Sequence, residues 1–377
     1  MTFLLHKISG YGHAVRAAAG HDPVALVRQS ARVARARLRY GIGPQLYSMF
    51  GLGRVPETMW ADYVHEVPFD RIQQLLNRPD SRIVAFDKLA FNEHCARHRL
   101  PTVPILAIID PSPRDSFAHL AIPDARALGA FLESHKAPFF FKRIDGSKGQ
   151  GAFVVEHASR GFRFGERVGT AADLFAACRD ESKTWEHGTT RYLIQPRIRI
   201  HPALNAIMSP FGVGTMRAIS TMIDGKPGFP FAFLKMTVGR AETDNVLAGK
   251  SGNLVAGIDM DSGRLTWAAG SRSRRWPDMV EIDRHPDTGR PIAGFALPHW
   301  REAKELMLKA AASAPGIGLA GWDVAFTPDG PLVLEVGVQA SLDIIQLLAQ
   351  RGLRRELYAA LGGAIPPDEY ARLLALR

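Results

Sequence analysis

The sequence predicts an α+β fold, in which helices and strands fall into separate stretches of the chain. Apolar runs of strand length dominate residues 192–336, whereas helical patterns cluster before residue 136 and again between residues 300 and 351. Because the two kinds of element do not alternate strictly, the pattern disfavours a doubly wound parallel sheet. A chain of 377 residues with 46% hydrophobic content is long enough to bury a sizeable core divided into two or three subdomains.

The composition indicates a soluble protein, which we expect in the cytoplasm. The two cysteines, Cys95 and Cys178, are far apart and lack metal-ligand spacing, so neither a disulfide framework nor a zinc site is predicted. The opening apolar stretch is too short for a signal peptide, and no window approaches the roughly 20 apolar residues of a membrane span. A net charge of +10 is compatible with anionic partners, but no nucleic-acid motif accompanies it, so no nucleic-acid partner is expected.

A basic helix is predicted near the N-terminus, with Asp22 as its N-cap and Pro23 in its first turn. One face carries recurring arginines and the other an apolar stripe that we expect to be buried. The arginines are Arg28, Arg32, Arg35 and Arg39, and the apolar residues are Val24, Val27, Ala31, Ala34 and Leu38. If the apolar stripe is buried, the basic face is exposed to solvent. The alternative is that the helix makes peripheral contact with a membrane or an acidic polymer.

Further elements follow from apolar periodicity. We predict helices within residues 89–99, 123–135, 300–312 and 342–351. We predict strands at residues 103–109, 139–142, 152–155, 192–200, 215–223, 229–238, 254–260, 322–326 and 332–336.

The segment from Phe139 to Gly151 places a lysine at the end of an apolar strand and then a glycine-rich loop. Three phenylalanines fix the backbone from which Lys142 projects. Gly146, Gly149 and Gly151 permit a tight turn that brings backbone N–H groups close to an anion, and Ser147 and Lys148 add donors. The spacing is not that of a P-loop, so the segment is a candidate phosphate-binding hairpin, and the alternative is an ordinary turn.

Asp323 and Glu335 are the candidate metal ligands, one on each arm of a predicted hairpin. If residues 328–330 form a three-residue loop with Gly330 left-handed, Thr327 pairs with Pro331 and the two carboxylates lie opposite each other on one face. A divalent cation such as Mg²⁺ would offset their repulsion. A two-residue turn is the alternative, and it shifts the pairing by one residue and separates the carboxylates onto opposite faces.

Two other strands each carry one cation in an apolar run, Arg217 and Lys235. Each is either an outward-facing strand residue or, together with Lys142, part of a cationic set that converges on phosphates. Four polar residues in the following loop are candidates for the acceptor side, and the alternative is a solvated loop. They are Asp244, Asn245, Ser251 and Asn253.

The order of these features resembles the ATP-grasp superfamily, and within it the sugar-transfer-associated ATP-grasp family. The similarity extends from Asp87 to Gln350 and includes the segments DKLAFNEHCARHRLPTVP, YLIQPRI, DNVLAGKSGNLVAGID and GWDVAFTPDGPLVLEV. The resemblance implies two α+β lobes that clamp ATP, with a helical N-terminal extension. The implied division is 1–60 for the basic extension, 61–135 for an N-terminal α/β region, 136–198 for the small lobe, 199–355 for the large lobe and 356–377 for a helical tail.

The resemblance also implies roles for individual residues. Lys142 and the loop from Gly146 to Gly151 would bind the ATP phosphates, which Arg217 and Lys235 would approach, and Asp323 and Glu335 would hold Mg²⁺. Gln195, Pro196, Arg197 and Ile198 would form the hinge at the adenine. One departure concerns Gly337, because the superfamily usually has an asparagine ligand two residues after the glutamate; Gln339 or Asn253 is a candidate substitute.

The reaction that the resemblance implies is ADP-forming ligation. A carboxylate would be activated as an acyl phosphate and attacked by an amine or a related nucleophile, with a C–N bond as the product. The family name points to small molecules of glycan or cell-envelope context. The alternatives are a kinase that acts on a sugar or alcohol, and a nucleotide-binding protein with weakened catalysis.

Overall fold

The computed structural model of the chain describes residues 2–20, 22–110, 119–135, 138–146, 151–182, 191–274 and 278–376. Its helices are α1 Thr2–Ala19, α2 Pro23–Tyr40, α3 Pro44–Met49, α4 Glu66–Leu76, α5 Ile83–Phe86, α6 Lys88–His98, α7 Ala125–Ser134, α8 Ala171–Ser182, α9 Trp300–Ser313, α10 Asp343–Ala349, α11 Arg354–Ala360 and α12 Pro367–Leu374. Short 3₁₀ turns lie at Glu57–Asp62, Pro79–Ser81, Pro202–Ala206 and Leu247–Gly249.

The strands of this part of the chain form two seven-stranded sheets. The first has the order β2-β1-β7-β3-β4-β5-β6, with strands β1 Ala107–Ile109, β2 Ala121–Ile122, β3 Phe139–Arg143, β4 Phe153–His157, β5 Phe162–Phe164, β6 Arg167–Gly169 and β7 Tyr192–Pro196. The second has the order β12-β11-β10-β9-β8-β13-β14, with strands β8 Met216–Ile223, β9 Lys226–Met236, β10 Leu254–Ile258, β11 Leu265–Ser271, β12 Met279–Glu281, β13 Leu319–Thr327 and β14 Gly330–Gly337. The separation of helices and mixed sheets confirms the predicted α+β class.

The first sheet packs one face against α7 and α8. Phe139 and Phe141 of β3 face this core, so the residues between and after them, Phe140 and Lys142, point to the opposite face. Strands β3 and β4 pair antiparallel as the two arms of a hairpin, as predicted for the segment around the glycine-rich loop. The strand predicted to run from Tyr192 to Ile200 ends earlier, at Pro196, where the chain leaves the sheet and the backbone N–H of Arg197 donates to Pro138.

The second sheet is covered on both faces. On one face α9 shares a hydrophobic core with Trp322, Val324 and Phe326 of β13. The N-terminal helices α1 to α3 and the C-terminal helices α10 to α12 share a hydrophobic core with the other face. Because side chains alternate along a strand, Arg217, Lys235 and Asp323 lie on this second face of their strands, beyond the edge of that core.

The helix α2 begins as predicted, since the Asp22 carboxylate accepts a hydrogen bond from the Val24 N–H. The prediction of its buried face was wrong. Its buried residues are Ala25, Gln29, Val33 and Ala36. Val24, Val27 and Leu38, which we expected in the core, are 76%, 74% and 67% exposed.

The contacts of two polar side chains, Gln29 and Arg32, accompany this orientation of α2. Gln29 is buried because the Tyr47 hydroxyl donates to its amide oxygen and its amide nitrogen donates to the Gly53 carbonyl. Arg32 lies over the ring of Trp60, 4.8 Å from its centre. It also donates to the carbonyls of Leu52 and Val55, which follow α3. These contacts turn the small buried side chains inward and the larger aliphatic side chains outward.

The hairpin formed by β13 and β14 combines the two alternatives that the sequence left open. Its turn has two residues, because Thr327 pairs with Gly330, as in the second alternative. The register shifts by one residue after Val324 pairs with Val333, and Asp323 therefore still pairs with Glu335. The extra residue is Leu334, which makes this a β-bulge. Val333 and Val336 both face the core, so Leu334 and Glu335 both face the other side, where they line a cleft.

Candidate active site

A cleft of about 1020 Å³, including the solvent at its mouth, lies between the two sheets. Both sheets contribute to its lining. Its apolar lining consists of Val103, Phe140, Ala152, Val154, Pro196, Ile198, Phe211, Val213 and Leu334. Its ionisable lining consists of Lys88, Lys142, Arg143, Arg197, Glu242, Asp244, Asp323 and Glu335. The cleft thus offers an apolar surface and a charged surface to one ligand, as expected of a small-molecule site.

The charged residues of the second sheet follow from strand register. Arg217 of β8 pairs directly with Asp323 of β13, which pairs directly with Glu335 of β14. Lys235 of β9 lies diagonally next to Arg217. Two cations and two carboxylates therefore form one row across four neighbouring strands.

Asp323 is the centre of this row. The Arg217 guanidinium contacts both of its carboxylate oxygens, with Nε 3.0 Å from Oδ1 and Nη2 3.3 Å from Oδ2. Lys235 Nζ lies 3.1 Å from Oδ1. Burial by itself raises the pKa of Asp323, but the two cations outweigh burial and hold that pKa below its usual value. Asp323 is therefore a carboxylate at neutral pH.

At Glu335 the effects that raise the pKa outweigh those that lower it. Burial raises the pKa of Glu335, and the adjacent Asp323 carboxylate raises it further, against the lowering effect of Lys88, Arg217 and Lys142. Two facing carboxyl groups whose pKa values are pushed apart in this way attract a cation.

Lys235 has a second acidic partner in Asp244. Its Nζ lies 3.2 Å from Asp244 Oδ1, while Asp244 Oδ2 accepts from the Thr215 backbone N–H at 2.9 Å and from the Thr215 hydroxyl. Both side chains are almost fully buried. The loop that carries Asp244 is thereby attached to the end of β8, and Lys235 is held between two carboxylates.

The first sheet supplies Lys142. Burial lowers the pKa of Lys142 to about 8, although Glu335 acts to raise it. Lys88, at the start of α6, also lines the cleft and donates to the Gly146 carbonyl, and burial lowers its pKa. Sequence reasoning did not select Lys88 as a site residue. The available signal was its position directly after Asp87, the N-cap of α6.

The four residues predicted as the hinge all line the cleft. The Gln195 side chain is buried and donates to the Val103 carbonyl at 2.9 Å, which joins β7 to the segment before β1. Arg197 forms an ion pair with Glu156 at 2.9 Å. The side chains of Gln195 and Arg197 thus have partners within the protein, and Pro196 and Ile198 contribute apolar surface to the cleft.

Only part of the glycine-rich loop can be described. Ser147, Lys148 and Gly149 lie outside the described residues. Gly146 lines the cleft. Gly151 has a φ of +66°, and a Cβ at this position would lie 2.8 Å from the Tyr192 hydroxyl and 3.1 Å from Arg143, so both its backbone conformation and its surroundings require glycine.

Asn253 does not line the cleft, although the sequence pattern made it a candidate for the acceptor side and for the missing metal ligand. Its amide oxygen accepts from the Val238 N–H, and its amide nitrogen donates to the carbonyls of Thr243 and Asn245. Asn253 therefore holds the loop in place. Its neighbour Ser251 binds the Val246 carbonyl, whereas Asp244 and Asn245 line the cleft. Gln339 is exposed and does not line the cleft, so neither Gln339 nor Asn253 replaces the missing asparagine.

Asp323 and Glu335 fit a divalent cation. The Asp323 Oδ1 atom is shielded from solvent and accepts no hydrogen bond, although two cations lie close to it. Oxygen ligands from one or two carboxylates, completed by phosphate oxygens and water, are the usual environment of Mg²⁺. Among the residues that the structure describes, no group of three His, Cys, Asp or Glu side chains forms a site on its own. The carboxylate pair thus fits a cation that shares its coordination with a phosphate ligand.

Comparison with protein families matches residues 70–360 to the sugar-transfer-associated ATP-grasp model. The chain belongs to the sugar-transfer-associated ATP-grasp family. The match covers both sheets and every described residue that lines the cleft. Members of the ATP-grasp superfamily are typically ATP-dependent carboxylate–amine ligases. The family resemblance and the α+β fold inferred from the sequence are both confirmed.

Three solved structures are among those to which the chain is similar. A biotin carboxylase from Campylobacter jejuni is 10% identical, with a TM-score of 0.45 over 81% of this chain and 54% of its own. The biotin carboxylase domain of a Hydrogenobacter thermophilus 2-oxoglutarate carboxylase, solved with MgADP, is 11% identical, with a TM-score of 0.40 over 73% of this chain and 46% of its own. A D-alanine–D-alanine ligase from Helicobacter pylori is 11% identical, with a TM-score of 0.42 over 80% of this chain and 67% of its own.

This ATP-grasp chain thus spans about half the length of the two carboxylase structures. No protein of curated function matches the chain. Within the described residues, none of the helices combines the length and apolarity that crossing a membrane requires.

Proposed function

We propose that this protein is an ADP-forming ligase that activates a carboxylate as an acyl phosphate and transfers the acyl group to an amine or a related nucleophile. The observation that carries the proposal is a cleft lined by Lys142 from one sheet and by the facing carboxylates Asp323 and Glu335 from the other. Arg217 and Lys235 add positive charge next to this lining, because both contact Asp323. Phosphoryl transfer needs mainly positioning and charge neutralisation, and these groups supply both.

The cleft suggests how ATP is oriented. The adenine would lie against the hinge from Gln195 to Ile198, with Leu334 beneath it because the β-bulge turns this side chain into the cleft. Lys142 and Lys88 would bind the phosphates, together with the loop between Gly146 and Gly151. Asp323 and Glu335 would hold Mg²⁺, which supplies Lewis-acid neutralisation of the phosphate oxygens when bound.

Arg217 and Lys235 would bind the acyl phosphate and the departing phosphate. Both contact Asp323, so they would lie close to phosphate groups whose charge a cation held by Asp323 and Glu335 would neutralise. Asp244 keeps Lys235 in this position, and Asn245 lies on the same side of the cleft for contact with the acceptor. No protein nucleophile is required.

Gly337 suggests that one divalent ion suffices. A Cβ at Gly337 would lie 3.8 Å from Arg217 Nη1, so the amide of an asparagine here would meet the guanidinium. In our proposal Arg217 supplies the positive charge at the position where the superfamily's asparagine would help to bind metal. Bound Mn²⁺ measured by electron paramagnetic resonance with a non-hydrolysable ATP analogue should then be one per chain, and two per chain would contradict this point.

Calorimetric titration of ATP with and without Mg²⁺ tests the proposed function. We expect Mg²⁺-dependent binding that Asp323→Asn and Glu335→Gln both weaken, while Arg301→Gln, an exposed site on α9, leaves binding unchanged. A screen of carboxylates with amines for ADP release then identifies the reaction. ADP formation with a phosphorylated sugar or alcohol would indicate a kinase. No nucleotide binding at millimolar ATP would refute the ligase proposal.

The missing asparagine favours one alternative, a nucleotide-binding protein with weakened catalysis. Mg²⁺-dependent ATP binding without ADP release across the screen would select this alternative.

A further inference from the structure

The exposed face of α2 carries an apolar stripe that no other part of the described chain covers. Val24, Val27 and Leu38 are 76%, 74% and 67% exposed, and Ala31, between them on the same face, is also exposed. The spacing of these four residues follows the helical repeat. A stripe of this kind on a protein surface indicates an interaction site.

Arginines flank the stripe. Arg28, Arg35 and Arg39 are exposed along one side, and Arg37 is exposed on the other side. Arg35 and Arg39 share a single carboxylate, that of Glu57, at 2.8 and 3.7 Å, so this pair of arginines keeps excess positive charge. The remaining arginine of the helix, Arg32, is bound within the fold and does not contribute to this surface.

The charge of the whole chain is concentrated around this helix. Residues 1–56 contain eight Lys and Arg residues and one acidic residue, Asp22, and they therefore carry +7 of the net charge of +10. The other 321 residues carry the remaining +3. A partner that covers α2 must therefore be anionic over an area comparable to the helix and apolar beneath that layer.

We propose that α2 is a membrane-surface helix that lies along an anionic bilayer, with Val24, Val27, Ala31 and Leu38 inserted below the headgroups and the arginines on lipid phosphates. An interfacial helix needs an apolar stripe bordered by basic residues, and α2 has both. A bilayer combines dense phosphate groups with an apolar interior, whereas a second copy of this basic surface would be repelled by its own charge. No residue of α2 lines the cleft, so the proposed membrane contact and the ligand site use different residues.

Sedimentation with sucrose-loaded vesicles tests this proposal. The full-length protein is mixed with vesicles of phosphatidylcholine alone, or with 30% phosphatidylglycerol, at low and high salt. We expect binding to the phosphatidylglycerol vesicles, weaker binding at high salt, and little binding to phosphatidylcholine alone. The side chains to be changed are exposed, so the variants should fold, and thermal melting checks that they do.

Two variants separate the apolar and the charged contributions. Val27→Ser with Leu38→Ser should lower partition to phosphatidylglycerol vesicles by about tenfold or more, because two aliphatic side chains no longer leave water. Arg28→Gln with Arg35→Gln should lower it by about fivefold for each charge removed. Val168→Ser with Arg301→Gln changes an exposed valine and an exposed arginine elsewhere, and it should bind like the wild type.

The proposal is overturned if the wild type does not sediment with phosphatidylglycerol vesicles, or if the Val27/Leu38 variant sediments as well as the wild type, since binding would then be electrostatic only. A concentration-dependent dimer that Val27→Ser with Leu38→Ser abolishes would also overturn it in favour of self-association. None of these outcomes depends on nucleotide binding, so the membrane proposal and the ligase proposal stand or fall separately.

Discussion

Asp323 and Glu335 are paired as candidate metal ligands, but their removal from the metal-free protein should affect stability very differently. Asp323→Ala deletes the carboxylate that lies 3.0 Å from Arg217, which has no other carboxylate partner among the described residues, and one of the two carboxylates that contact Lys235. At an effective dielectric constant near 20, each contact of this length is worth about 5 kcal/mol of Coulomb energy before desolvation is counted. Breaking a buried pair by removing one partner costs about 3–5 kcal/mol, because a buried charge is left uncompensated.

Glu335→Ala should change the free energy of unfolding by less than about 1 kcal/mol, because it removes a carboxyl group that faces another carboxylate. The assay is urea unfolding in the presence of EDTA. The double variant Asp323→Leu with Arg217→Met should recover much of the stability that Asp323→Ala loses, since it leaves no unpaired guanidinium and Lys235 keeps Asp244. Equal losses for Asp323→Ala and Glu335→Ala, or a double variant as unstable as Asp323→Ala, would refute this account of the row.

Three further predictions concern other residues. Because burial lowers the pKa of Lys142 to about 8, ATP affinity measured without Mg²⁺ should be constant below pH 7.5 and fall by up to tenfold per pH unit above 8. Lys142→Arg should remove this decline. A decline that persists in the arginine variant would mean that a group other than Lys142 titrates. Burial raises the pKa of Asp343 to about 7, so the folded protein holds a proton that the unfolded chain releases near pH 4, and stability should fall as pH rises between these values. Asp343→Asn should therefore raise the melting temperature at pH 8 and leave it nearly unchanged at pH 4.5, and equal effects at both pH values would contradict the assignment. Asn253→Ala removes three hydrogen bonds from a buried site. It should lower the free energy of unfolding, measured in urea, by about 2–4 kcal/mol and speed proteolysis of residues 243–253. Asn245→Ala is the control and should have a milder effect.

Much of the fold was predictable because strand and helix patterns act locally. The apolar runs that carry Lys142, Arg217, Lys235 and Asp323 predicted their strands, with boundary differences of a few residues. Those strands bring Lys142 and Asp323 to one cleft and place Arg217 and Lys235 in contact with Asp323. Lys88 was not predicted, because its position depends on how a helix start meets a loop that lies about 60 residues later in the sequence.

Two of the failures concern polar side chains whose partners no sequence pattern shows. The α2 helix buries Gln29 and exposes Val24 because Tyr47 and Gly53 satisfy the glutamine amide, and no periodicity contains that information. Asn253 was selected for its polar side chain, yet the loop backbone uses that side chain completely.

The β-bulge at Leu334 has a consequence for how this site tolerates insertions and deletions. A hairpin that brings Asp323 opposite Glu335 needs one residue more than a regular two-residue turn allows, and the extra residue can lie in the turn or in the strand. If the extra residue lay in the turn, Leu334 would face the core and Val333 would face the cleft. Because the extra residue lies in the strand, two consecutive side chains, Leu334 and Glu335, face the same ligand. Homologous chains can therefore exchange a longer turn for the bulge and keep the carboxylate pair, but only the bulge fixes an apolar surface directly beside the metal ligand.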